Sequence, residues 1–229
     1  MNTTPAHLRT TFRLLRQYGA CTSGYKKLAQ HIRDQHGTSP EDYGMDRPIA
    51  IATILESNGQ ADAFWSLRAT QEPSDQFTRL LACDFAEHVL PIFEARRPND
   101  QRPRKAIEVA RRFARGQADR DELIAARKGA AAADAADAAA AAAAYAAYAA
   151  AAAADAADAD AAAAAYAAYA AAAYAAYAAA AYAAYAAAAR LNERQWQLHH
   201  FKAALAAESE RCASALSERS AAGNEVAAA

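Results

Sequence analysis

The large apolar residues of the chain recur at helical spacing almost throughout. Leu8, Phe12 and Leu15 form one stripe, with Thr4 placed to cap a helix that begins at Pro5 and stops at Gly19. Thr22 or Ser23 opens a second helix with Tyr25, Leu28, Ala29 and Ile32 inward and Gly37 as its stop. The segment "TSPEDYGMDR" reads as a loop. Ile51, Ile54 and Leu55 predict a short helix closed by Asn58-Gly59, and "ADAFWSLRA" predicts another, anchored by Phe64, Trp65 and Leu67. No alternating strand pattern stands out.

The broadest apolar face follows Ser74, the expected cap. Phe77, Leu80, Leu81, Phe85, Val89, Ile92 and Phe93 lie on it, and Pro91 inside the pattern predicts a kink, because it donates no hydrogen bond and crowds the preceding turn. "RPRKAIEVARRFARG" predicts an amphipathic helix with Ile107, Val109, Ala110, Phe113 and Ala114 inward and Gly116 at its end. Asp119 caps the helix expected after it.

From Ala130 to Ala189 the chain contains only alanine, aspartate and tyrosine. Alanine has the highest helix propensity, so this region reads as helix. One unbroken helix of about sixty residues would be about 90 Å long. That length predicts a turn at "DAADAD", Asp155 to Asp160, and a weaker one near Asp134 to Asp137. The last helix then runs from about Asp160 through "RLNERQWQLHHFKAALAAE", and a small polar tail frays from Ser217.

Tyrosines at 166, 169, 174, 177, 182 and 185 are spaced alternately by three and five. An eight-residue repeat drifts by about 80° on a straight helix, which spreads the six rings over about 220°. A two-helix seam needs a narrower stripe. The absence of charge from Ala161 to Ala189 predicts burial against several neighbours. Lipid fits less well, since tyrosines at every depth are not the two interfacial belts of a membrane span. Buried tyrosine hydroxyls then need partners such as Asp134, Asp137, Asp155 or backbone carbonyls.

The expected fold is therefore all-α: a multi-helix bundle with short N-terminal helices and a long Ala/Tyr-rich helical hairpin. A single domain is expected over 1–216. Within it, 1–70 holds short helices, 74–128 amphipathic helices and 130–207 the alanine-rich hairpin, and 217–229 is a disordered tail.

Composition changes this picture little. The chain is 54% hydrophobic, but much of that is alanine, which adds little transfer free energy. The net charge is −1, which does not suit a generic nucleic-acid binder. Residues 1–128 hold 20 basic and 16 acidic residues, a net of +4, and residues 129–229 hold 5 and 10, a net of −5. Cys21, Cys83 and Cys212 are odd in number and widely spaced, which argues against a disulfide scaffold or a zinc ribbon. The first residues lack the cationic and apolar regions of a secretory signal, so a cytoplasmic protein is expected.

Three clusters offer candidate chemistry. His199 and His200 with Glu193 are potential metal ligands, although adjacent helical histidines diverge by about 100° and an ordinary surface is the commoner outcome. Asp84 and His88 share a helix face at i, i+4 and would serve as an acid–base pair if they opened onto a pocket; a surface ion pair is the commoner outcome. Cys83 next to them falls in an apolar run and reads as core. The best polar patch is Arg102, Arg104, Lys105, Arg111, Arg112 and Arg115, which suits an acidic partner or phosphates, or else is a solvated face balancing downstream aspartates.

The order of blocks "ILESNGQADAFWSLRA", "RLLACDFAEHVLPIFE", "RPRKAIEVARRFARG", an Ala/Tyr/Asp tract and "ERQWQ" resembles a family of bacterial and prophage immunity proteins associated with polymorphic toxins. The resemblance spans roughly Ile54 to Phe201. It implies a non-enzymatic protein that neutralises a cognate toxin by direct binding, with no catalytic residue, cofactor or metal. Partner contacts are expected at the six basic residues of that patch and at Asp155, Asp158 and Asp160. A phage-encoded inhibitor of a host defence complex, its aspartates mimicking phosphates, is the alternative within the binding class. An enzyme using Asp84 and His88 is the alternative from another class. Neither nucleic acid nor membrane is an expected partner.

Overall fold

The computed structural model of the chain describes residues 8–133 and 186–227. Thr4, Pro5, the tyrosine repeat, the aspartates Asp134, Asp137, Asp155, Asp158 and Asp160, and the turns expected among them lie outside the described residues.

The described residues are all-α apart from one small sheet. Two-residue strands β1 (Arg9–Thr10) and β2 (Ile49–Ala50) pair antiparallel, Arg9 opposite Ala50 and Thr10 opposite Ile49. The first half of the chain adds helices α1 (Phe12–Gln17), α2 (Thr22–His36), α3 (Pro40–Tyr43), α4 (Ile51–Ser57) and α5 (Gln60–Ser66), with a 3-10 turn over Leu67–Ala69. Longer helices follow: α6 (Asp75–Arg96), α7 (Arg102–Ala114), α8 (Arg120–Ala133) and α9 (Ala186–Ala227). No helix among the described residues is long and apolar enough to cross a membrane.

Several boundaries differ from the sequence expectation, each for a local reason. The first helix starts at Phe12, because residues 9–10 are taken by the sheet. The Thr10 hydroxyl donates to the Ala69 carbonyl, and Arg9 pairs with Glu72, so long-range contacts override the local helix signal. Thr11 is the cap, its hydroxyl accepting from the Leu14 N–H. The α2 cap is Cys21 rather than Thr22 or Ser23; its sulfur accepts from the Gly24 N–H at 3.3 Å. The expected loop at 38–47 contains one helical turn, with Ser39 capping and Pro40 as first residue. Gly37 and Gly116 close α2 and α7 at positive φ, as the sequence predicts. Asp119 caps α8 through the Glu122 N–H at 2.8 Å. Helix α6 continues through Pro91, and Ser74 precedes it without a side-chain capping bond. The backbone of α9 remains helical to Ala227, beyond Ser217 where fraying was expected.

The described residues group into two compact units, one drawn from Met1–Glu72 with Phe201–Ala229, the other from Pro73–His200. In the first, Phe12, Leu28, Ile32, Ile51, Phe64 and Leu67 are fully buried, and Phe201 stacks on Phe64 with centroids 4.5 Å apart. The core of the second joins α6, α7 and α8 through Ala82, Ala86, Val89, Leu90, Ala106, Ile107, Ala110, Leu123, Ala126 and Ala130. Alanines at these positions let the three helix axes approach closely.

Candidate binding site

Within the second unit, polar side chains from three helices meet. Asp84, Glu87 and His88 occupy one face of α6 at i, i+3 and i+4. Glu193, Trp196, Gln197 and His200 occupy one face of α9 at i, i+3, i+4 and i+7. Arg111 comes from α7.

Trp196 is the centre of the arrangement. His88 stacks on its ring with centroids 3.5 Å apart and planes 8° apart, and His200 stacks on it at 4.8 Å and 9°. Phe85 meets Trp196 and His200 edge-on, at 6.1 Å from each. Each histidine is tied to a carboxylate on the opposite helix. His88 Nδ1 lies 2.9 Å from Glu193 Oε2, and His200 Nε2 lies 2.9 Å from Asp84 Oδ2. Glu193 is only 4% exposed, so its charge needs partners, and Gln197 supplies a second bond at 3.0 Å. Arg111 bridges Asp84 at 2.6 Å and Glu87 at 2.5 Å. Burial opposes the Arg111 charge, but the bond to Asp84 and nearby negative groups hold its pKa above the ordinary value.

This geometry separates the pair offered as acid and base. Asp84 takes Arg111 and His200, while His88 takes Glu193. Cys83 is buried in the helix core, and desolvation pushes its thiol up to about 12, so it carries no thiolate at neutral pH. His199 is exposed, and Glu193 and His200 face different partners. No group of three or more metal-ligating side chains gathers among the described residues.

The basic residues of α7 are present as a face, but most of their charge is answered within the protein. Arg102 pairs with Asp100, Arg104 forks onto Glu94 with both bonds at 2.7 Å, and Arg112 bonds Glu122 at 2.5 Å. The Arg102 bonds hold the Asp100 carboxyl below the usual range. Lys105 and Arg115 are exposed at opposite ends of the helix. Glu87, Glu108, Arg104, Arg111, Arg112 and Arg115 line a groove of about 370 Å³ between α6 and α7.

Sequence reasoning gave the arginines but missed the central tryptophan and the burial of Glu193. Their spacing, 193, 196, 197 and 200, was the available signal: four polar or aromatic residues on one helical face, unlike a solvated surface. What pairs them with residues 84 and 88 is contact across more than a hundred positions, which no local pattern carries.

A family described as "Imm-5 like putative immunity protein" matches residues 69–204. No curated protein and no solved structure matches the chain. The matched span contains all of α6, α7 and α8 and the α9 segment that carries Glu193, Trp196 and His200. Three of the blocks that carry the resemblance, in α6, α7 and "ERQWQ", supply side chains of this cluster, and with more than half of its length matched, this chain belongs to the Imm-5 like immunity protein family.

Proposed function

We propose that the chain is an immunity protein that neutralises a cognate toxin by direct contact and turns over no substrate. The observation that carries this reading is the saturation of the α6–α7–α9 cluster. Asp84 and Glu87 bond Arg111, Asp84 also takes His200, and His88 takes Glu193, so each of these side chains is held by another member of the cluster. What it offers is a rigid surface: ring edges of His88, Trp196 and His200 that are partly exposed, beside a lattice of arginines and carboxylates. Tryptophan and arginine held in fixed geometry are the residue types that dominate protein interfaces. The partner is a protein toxin, and the α7 face from Arg104 to Arg115 is the proposed contact.

Co-expression with the genes that neighbour this one tests the reading. The expected outcome is restored growth and a stoichiometric complex on size-exclusion chromatography. Charge reversal by Arg112→Glu with Arg115→Glu should weaken rescue without unfolding the protein. If every neighbouring toxin keeps full activity in cells that make the chain, the immunity reading fails.

A further inference from the structure

A second surface stands out in the first unit, outside the residues matched by the family. Phe12 is fully buried and supports two tyrosines, Tyr25 at 5.2 Å and Tyr43 edge-on at 6.4 Å. Each tyrosine carries an arginine. The Arg16 guanidinium carbon lies 5.0 Å from the Tyr25 ring centroid, and that of Arg47 lies 4.3 Å from the Tyr43 centroid. His36 packs on Tyr43 at 5.1 Å.

These two arginines differ from those of α7. A guanidinium over a ring is attracted by the negative ring face and still has N–H groups for a carboxylate, although Arg16 also spends one on the Tyr25 hydroxyl. Arg47 makes no ion pair among the described residues. The ion pair of Arg16 with Glu41 spans 3.8 Å, too long for a hydrogen bond, and both side chains are exposed. Arg13 close by is different again, bonded to Asp46 at 2.5 Å and 2.9 Å.

We infer that Arg16 and Arg47, preset on Tyr25 and Tyr43, form a docking site for a carboxylate-bearing segment of a partner protein. Stacking has already restricted both long side chains, so less rotamer freedom is lost when a carboxylate binds. Residues 9–47 hold seven basic and four acidic residues, a net of +3 for this segment of the chain. Glu41, Asp42 and Asp46 are interspersed with the arginines. A nucleic-acid strand, charged at every residue, would meet those three carboxylates. A protein segment brings one or two carboxylates together with apolar groups, and Tyr25, Tyr43 and Met45 are each half-buried and able to receive them. The identity of that partner as the toxin rests on the immunity reading.

The test uses the full chain labelled with ¹⁵N and follows the arginine Nε–Hε signals. The probe is a short peptide of alternating glutamate and leucine, with a short oligothymidylate as comparison. The peptide should shift the Arg16 and Arg47 signals. Arg16→Gln with Arg47→Gln should weaken peptide binding about a hundredfold, at about tenfold per guanidinium. Arg47→Lys, which keeps charge but not the fork, should lose part of that affinity. Thermal unfolding of each variant confirms that the fold is retained. The inference is overturned if the peptide leaves both signals in place, if the glutamine variant binds it as the native protein does, or if the oligothymidylate binds these groups more tightly. With a toxin complex in hand, unchanged toxin affinity in the glutamine variant overturns the inference and leaves the immunity reading intact. Absence of any toxin rescue removes the immunity reading, while the peptide measurement still decides the inference.

Discussion

Sulfur chemistry shows how far a single residue depends on its surroundings. Cys21 is exposed at the start of α2, where the Ser23 hydroxyl and then the Gly24 N–H stabilise its thiolate and lower its pKa. Cys83 lies in the α6–α7–α8 core, where burial raises its thiol to about 12. Cys212 is half-buried, and desolvation and Glu208 raise its pKa. A thiol reagent at pH 8 should therefore label Cys21 first, Cys212 more slowly and Cys83 only after unfolding. Mass spectrometry of timed samples measures this order. Cys21→Ser should abolish the fast phase, and native-state labelling of Cys83 at a comparable rate would contradict its burial. The apolar run around Cys83 made its burial legible in the sequence. The separation of Asp84 from His88 was not, since i, i+4 spacing says that two groups can meet and not which outside partners compete for them.

At the scale of elements, the pattern of apolar residues placed α2, α4, α5, α6, α7 and α8 close to their observed spans. Caps were less legible. Thr11, Cys21 and Ser39 each accept a bond from an N–H three residues on, but each lies within two residues of another plausible starter. Which one caps depends on where the chain must leave its previous contact. The close approach of α6, α7 and α8 gives a direct prediction. Ala110 is fully buried between large and small neighbours, so Ala110→Leu has no space to fill. Overpacking of this kind should cost about 1–3 kcal/mol in urea unfolding. A neutral effect would mean that the three helices are less closely packed than the structure shows.

At the scale of the molecule, α9 supplies residues to both units: Trp196 and His200 to one, Phe201 and Leu205 to the other. Phe201 is fully buried on Phe64, more than a hundred residues earlier. Phe201→Ala should destabilise the protein by about 3–5 kcal/mol, read from the shift of its urea midpoint. A midpoint unchanged from the native protein would show that this closure contributes little. By itself the sequence determined the helical class, the amphipathic faces of α6 to α8, the burial of Cys83 and the family blocks. Those follow from residue type and period, which act over a few neighbouring residues. Only the tertiary structure decided that residues 9–10 pair with 49–50 instead of extending a helix. It alone decided that the α7 arginines are matched to Glu94, Asp84, Glu87 and Glu122, that Trp196 is held between two histidines, and that Arg16 and Arg47 lie on tyrosines. Each of these is a choice among several chemically equivalent partners, and it is settled by which surfaces the buried cores bring within a few ångströms.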